Sequence, residues 1–365
     1  MSNYIDIIKT AFSIFPLIAV FITIPFILIQ YHKYGSISFL KIMLTYSFVL
    51  YLLSAYFLVI LPLPSYEEVL QLTTKRVQLI PFSFIIDFVK NTSFDILKPS
   101  TYLLSLKDNV FFVPIYNILL TLPFGFYLRY FFKKSLKETI MYTFMLSLFF
   151  EITQFTGLFY IYPRGYRLFD VDDLTLNTLG GIIGFHITYF LRKPLPTIEH
   201  INELAKDRGK KVTSFRRTAS IIFDFFLFLV TGFLLLFFIN TKEIIIYHSI
   251  FYYVLIPILT KGSTLGQLFL KLRVVNNKGQ FTLTSLIMRL FLFFLIYIFL
   301  PYGLFYIIFN LSGMDISRFI KILIVLFSLG TIFLLYTISF IIYVFTRKPL
   351  IYEIISKTKL VSTIK

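Results

Sequence analysis

Apolar runs of membrane-spanning length, separated by polar breaks, dominate the chain. A hydrocarbon core about 30 Å thick takes roughly 20 residues of helix. About nine runs come near that length: 11–30, 39–61, 111–128, 139–160, 174–191, 217–239, 244–260, 282–310 and 319–345. The pattern predicts an all-α integral membrane protein, a polytopic helical bundle. The run at 244–260 is the shortest, and 282–310 is long enough to tilt or to break at Pro301. The first run has neither a basic leader nor a small-residue cleavage site, so it reads as a retained span and not as a signal peptide. Residues 62–110 form one long interruption, expected outside, whose patches Leu79-Ile80-Pro81-Phe82 and Phe84-Ile85-Ile86 are too short to cross and are expected to lie at the interface or pack on the bundle. The other, around Lys206-Asp207-Arg208-Gly209-Lys210-Lys211, separates five spans from four.

Charge orients these spans. Lys33 and Lys41, Arg129 to Lys137, the segment Arg192–Arg217, Lys261 to Lys278 and the tail from Arg347 fall in one set of alternate loops and hold roughly two-thirds of the 35 Lys and Arg. Glu67, Glu68, Asp87, Asp95, Asp108, Asp170, Asp172, Asp173, Glu243 and Asp315 fall in the other. Basic loops stay in the cytoplasm, so the N-terminus is expected outside and the C-terminus inside. The organisation follows: a membrane domain at 1–192, a basic cytoplasmic linker at 193–215, a second membrane domain at 216–346 and a basic cytoplasmic tail at 347–365.

Composition excludes other classes. The 365 residues are 58% hydrophobic, 20% aromatic and only 15% charged, with mean hydropathy +0.83, against about 25% charged in soluble domains. The net charge of +17 sits in short loops between spans and does not indicate nucleic acid. Membrane lipids are the expected partners, in the multi-pass setting of a cytoplasmic membrane. Abundant Phe, Tyr, Ile and Lys beside absent Trp hint at an AT-rich coding sequence, hence a low-GC bacterium. With no cysteine, the chain has no disulfide, thiolate metal site or cysteine nucleophile. No cofactor is expected.

Candidate chemistry gathers at the outer end of the first half. Glu151 and Gln154, three apart, share a face near the end of the fourth span. The loop that follows carries Arg164, Arg167, Asp170, Asp172 and Asp173 directly before the fifth span, and Asn177 lies one turn beyond Asp173. Asp172 or Asp173 would serve as an N-cap. Capping leaves the other carboxylates and both arginines unexplained, which favours a polar binding site. Carboxylates that hold a divalent cation compete with arginines that hold an anionic headgroup or glycan phosphate. Gly180 and Gly184 form a small-xxx-small motif suited to close helix packing, and Asn117 reads as an interhelical hydrogen bond.

Taken together, Tyr31-His32-Lys33-Tyr34-Gly35, Leu61-Pro62-Leu63-Pro64, Asn117 with Pro123-Phe124-Gly125, Glu151-x-x-Gln154, and Arg167-Leu168-Phe169-Asp170-Val171-Asp172-Asp173-Leu174 with Asn177-Thr178-Leu179-Gly180-Gly181 resemble the VanZ family over about residues 10–192. The resemblance implies a bacterial cell-envelope membrane protein, with a namesake associated with resistance to teicoplanin-type glycopeptides. It implies no reaction.

In the second half, Asp224 and Arg289 each lie seven or eight residues into a span entered from the cytoplasmic side, about 10–12 Å deep at 1.5 Å per residue. Equal depth makes them an expected intramembrane pair, read as a clamp or as part of an ion pathway. The loop Lys261-Gly262-Ser263-Thr264-Leu265-Gly266-Gln267 lacks the Gly-Lys-Ser/Thr ending of a phosphate loop. Leu272-Arg273-Val274 with Asn276-Asn277-Lys278-Gly279 predicts a small hairpin. Arg216-Arg217, Asp224, Gly262-x-Thr264-x-Gly266, Leu270-x-Leu272-Arg273-Val274-Val275 and Arg289 resemble the RDD family over about 215–345, with Gln267 and Lys271 departing from its pattern. Some of that family are linked to sodium–proton exchange.

Three functions are therefore carried forward. The first is a VanZ-type envelope protein that engages a lipid-linked cell-wall precursor or a glycopeptide antibiotic at the outer polar cluster. The second is a membrane enzyme acting on lipid-linked glycans, with Glu151 as acid/base and Asp170, Asp172 or Asp173 binding a metal. The third is an ion or proton transporter in the second half.

Overall fold

The computed structural model describes residues 2–300 except 96, 192, 240 and 242, residues 349–365, and scattered positions from 302 to 341. Asp315 and Pro301 lie outside the described residues, as does most of the run at 319–345. The described chain is mostly helical and contains only two two-stranded sheets. Five described helices are long and apolar enough to cross a membrane: Asp6–Tyr34, Phe39–Ile60, Val110–Tyr130, Val171–Leu191 and Ser214–Phe238. The fourth expected span forms a 20-residue helix outside that group, because Thr139, Thr143, Ser147, Glu151 and Gln154 lower its hydropathy and are all buried.

The chain divides into two compact units, 1–23 with 38–201 and 24–37 with 202–365. The expected linker is partly helical, since Ile198–Gly209 forms a helix whose first turn belongs to the first unit.

Helices α1 (Ser2–Tyr34) and α2 (Phe39–Ile60) are followed by an irregular segment with short helices α3 (Tyr66–Gln71) and α4 (Ser83–Asn91). Helices α5 (Asn109–Tyr130), α6 (Leu136–Phe155) and α7 (Val171–Leu191) then form the core of the first unit. Glycine sets the closeness of α5 and α7. A Cβ on Gly125 would collide with the Gly181 carbonyl, one on Gly180 with that of Ile118, and one on Gly184 with that of Leu122. Backbone therefore packs on backbone, as the small-xxx-small spacing predicts. Threonine completes the contact on the α6 side, where Thr143 lies against Gly181. Strands β1 (Val77–Gln78) and β2 (Phe169–Asp170) pair in parallel and clip the irregular segment to the loop before α7. Leu79, Ile80, Phe82, Ile85 and Ile86 are exposed, while Phe84 is half-buried.

The second unit holds α8 (Ile198–Gly209, from its second turn), α9 (Ser214–Phe238) and the π-interrupted helix α10 (Ile244–Leu259). Short helix α11 (Leu265–Phe269) and strand β3 (Leu272–Asn276) follow, and α12 (Leu283–Phe294) then runs into a π-helical turn at Leu295–Phe299. Its surprise is the C-terminus, expected as a tail. Residues Ile351–Ile355 form helix α13, and Thr358–Ser362 form β4. Strand β3 does form, but it pairs antiparallel with β4, Val274 opposite Leu360. The local hairpin is thus corrected to a long-range ladder, although the turn closes by Asn276 N–H···O Gln280 at 2.8 Å.

The expected Asp224–Arg289 pair does not form. Asp224 accepts from Thr264 Oγ1 (2.5 Å), Gly266 N (2.7 Å) and Tyr252 Oη (3.0 Å), and so caps α11 from a neighbouring helix. Gly266 leaves room for that carboxylate, which a Cβ would strike. Arg289 instead meets Glu353 at 2.8 Å and donates to Thr358 Oγ1 at 2.9 Å. The returning terminus supplies a nearer carboxylate, and each charge is satisfied without the other.

Candidate functional site

Polar side chains converge where α6 ends and α7 begins, and their contacts separate two tasks. The first is to hold backbone. Helix α2 ends with free carbonyls that need donors. Gln154 Nε2 donates to Val59 O (2.8 Å), Tyr166 Oη to Ile60 O (2.8 Å) and Arg167 Nη2 to Leu61 O (2.8 Å). Tyr162 Oη donates to Pro64 O at 2.7 Å. Arg164 reaches the irregular segment, donating to Leu72 O and, at 2.8 Å, to Thr74 O. Both arginines expected to face an anion are thus engaged with carbonyls of their own chain.

The acids divide in a similar way. Neither Asp172 nor Asp173 caps its own helix. Asp170 does, with Oδ1 accepting from Asp172 N at 2.8 Å. Asp172 points away and accepts from Phe82 N (2.6 Å), Ser83 Oγ (2.8 Å) and Phe84 N (3.1 Å). It caps α4, whose own N-cap position, Phe82, sits at φ 63 and contributes no side-chain bond. A carboxylate there satisfies free N–H groups and complements the helix dipole.

A second group remains in the interior. Glu151 is 2% exposed, and its Oε2 accepts from Asp170 N at 2.9 Å. Asn117 Nδ2 donates to Asp173 Oδ1. One turn deeper, Asn177 Nδ2 donates to Ser147 Oγ at 2.8 Å, and Thr121 Oγ1 donates to Asn177 O at 2.5 Å. Asn177 is 3% exposed, yet its Oδ1 has no partner. Asp170, outside the spans, has its pKa raised by burial and by the charges of Asp172 and Asp87. Among the described residues, no salt bridge reaches Glu151, Asp170, Asp172 or Asp173. No group of three or more His, Cys, Asp or Glu side chains there converges as a metal site would.

A strained turn follows α6 in the chain. Gly157, Leu158, Phe159 and Tyr160 all have φ between 55° and 70°, a left-handed turn that costs non-glycine residues about 1–2 kcal/mol each. Strain of this kind persists where the surroundings over-determine it, and it clusters at functional sites. Here Tyr162 N–H···O Gly157 (2.9 Å) and Phe159 N–H···Oγ1 Thr156 (3.0 Å) fix the turn.

The structure thus brings together Glu151, Asp170, Asp173 and Asn177, and assigns Gln154, Arg164, Arg167 and Asp172 to backbone. Ser147 and Thr121 were missed as members. Thr139, Thr143, Ser147 and Glu151 recur every four residues in an apolar helix, a stripe that marks a buried polar face.

No curated protein and no solved structure matches the chain, and the comparisons lend no support to the RDD resemblance of the second half. Residues 48–192 match the family model described as VanZ/LLP1, so the polar end of α6 and α7 lies within a VanZ-like domain of a membrane protein.

Proposed function

We propose that this is a VanZ-type protein of the bacterial cell envelope, which gives tolerance to teicoplanin-like glycopeptides by engaging a lipid-linked precursor or the glycopeptide itself. The carrying observation is a buried acceptor without a donor, Asn177 Oδ1, close to the buried Glu151 and the half-buried Asp173, neither of which a salt bridge reaches among the described residues. Buried acceptors left without donors are costly. Hydroxyl, amide N–H or ammonium groups would satisfy them, and glycan and glycopeptide ligands are rich in such donors. Basic loops facing the cytoplasm would place this end outside, where cell-wall precursors are used.

The test is deletion of the gene, followed by complementation with wild type, E151Q or D173N and measurement of teicoplanin and vancomycin susceptibility. Glutamine at 151 still accepts from Asp170 N, so folding and membrane abundance are expected to hold. Hydrogen bonds to a charged group contribute roughly 1.5–3 kcal/mol, so each variant should weaken ligand binding about tenfold or more. Teicoplanin tolerance should fall with it. Unchanged susceptibility to both drugs on deletion would refute the glycopeptide role. Full complementation by both variants would refute the site.

A further inference from the structure

We infer that the opposite, basic end of the first unit is a binding site for the phosphate headgroup of an anionic membrane lipid. A cavity of about 560 Å³ opens where α5 and α7 end, lined by Arg129, Lys133, Lys134, Lys193 and Glu199 among others. Four cations thus share one concave surface with one carboxylate. Lys133 pairs with Glu199, and Lys134 with Glu138 at 2.8 Å. No carboxylate pairs with Arg129 or Lys193 among the described residues.

Basic loops at the cytoplasmic ends of helices are ordinary, but dispersed loop charges keep apart. Here they converge, and parts of the lining are fixed in advance. Arg129 lies 4.4 Å over the Phe185 ring, which holds the guanidinium in place without neutralising it. Lys133 adopts φ 55, and the next residue closes the turn by Lys134 N–H···O Leu128 at 2.8 Å. Opposite, Tyr130 Oη donates to Pro196 O at 2.8 Å and ties the segment after α7 to the end of α5.

Like charges held around a cavity repel, and a phosphate relieves that repulsion. Its source follows from position. The cavity lies at the ends of two apolar helices, Val110–Tyr130 and Val171–Leu191, at the level of headgroups. Leu195 and Ile198 in its wall give it an apolar side, which suits a glycerol backbone and not free inorganic phosphate. Basic pockets between helix ends are a recurring mode of anionic headgroup binding.

The test is native mass spectrometry of the purified full chain, titrated separately with phosphatidylglycerol, phosphatidylcholine and inorganic phosphate. Phosphatidylglycerol should be retained in preference to phosphatidylcholine. The double variant R129Q/K193Q should lower its apparent affinity by about tenfold or more, and K193Q alone by less. Lys193 is exposed, so the single variant keeps its fold and preserves the test if the double variant does not. Equal retention of the two lipids, phosphatidylglycerol binding untouched by the substitutions, or inorganic phosphate held where phosphatidylglycerol is not, would each overturn the inference.

Discussion

Replacing Glu353 with alanine is expected to destabilise the second unit by about 3–5 kcal/mol, because it strands two buried arginines. Glu353 receives Arg217 through both carboxylate oxygens, at 2.9 Å and 3.1 Å, and Arg289 at 2.8 Å. It also accepts from Leu350 N at 3.0 Å. Arg217 reaches Tyr352 Oη at 2.5 Å, and Arg289 lies 4.9 Å over the Tyr352 ring. One carboxylate therefore fastens the C-terminal segment to α9 and α12. Thermal unfolding of purified protein should show the midpoint falling on the order of 10 °C. Changing Arg217 and Glu353 together should cost less than the sum of the single changes, because fewer charges are left uncompensated.

A pH dependence follows from the same group. Burial disfavours the charged Glu353, but the two guanidiniums outweigh it and hold its pKa below the ordinary 4.5. A depressed carboxylate contributes stability that is present above its unfolded-state value and is lost as pH falls through the folded one. The second unit should therefore lose stability below about pH 4.5, and E353A should flatten that decline. A midpoint unchanged by E353A would show that the triad does not hold the terminus.

Gly184→Leu is the second large effect, and it acts on the first unit. A Cβ at that position meets the Leu122 carbonyl, which is backbone of α5 and has no rotamer to yield. Overpacking costs about 1–3 kcal/mol where side chains can shift, and more where they cannot. The variant should be largely absent from the folded, monodisperse fraction on size exclusion in detergent. Gly303→Ala, with no atom of the described residues within 4 Å of its Cβ, should behave as wild type. Equal recovery of the two variants would mean that α5 and α7 do not cross in this way.

How much of this was legible beforehand depended on sequence distance. The five long apolar helices declare themselves through local hydropathy, and the glycine spacing of α7 through local periodicity, so both could be read. The packing of Gly180 and Gly184 and the grouping of Glu151 with Asp173 and Asn177 follow from helix register. Partners far along the chain could not be read. Nothing near Asp172 says that it caps a helix starting at Ser83, 89 residues away. Equal depth suggested Asp224 with Arg289, but depth counted along a helix takes no account of a terminus that returns. The last residues likewise read as a basic tail, while Glu353 within them is buried against Arg217 and Arg289. The arginines of the loop before α7 misled for a related reason, since free carbonyls at the end of α2 are invisible in a list of side chains.

The functional account depends most on which side of the membrane holds the end of α6 and the start of α7. The chain has no cysteine, so single substitutions can be labelled without background. Leu168 is 40% exposed in the loop before α7, and Lys137 is exposed at the start of α6. Intact cells carrying L168C or K137C, treated with a membrane-impermeant maleimide, would decide the matter. The account predicts labelling of L168C in intact cells and of K137C only after permeabilisation. The reverse pattern would place the acidic group in the cytosol and contradict the proposed role.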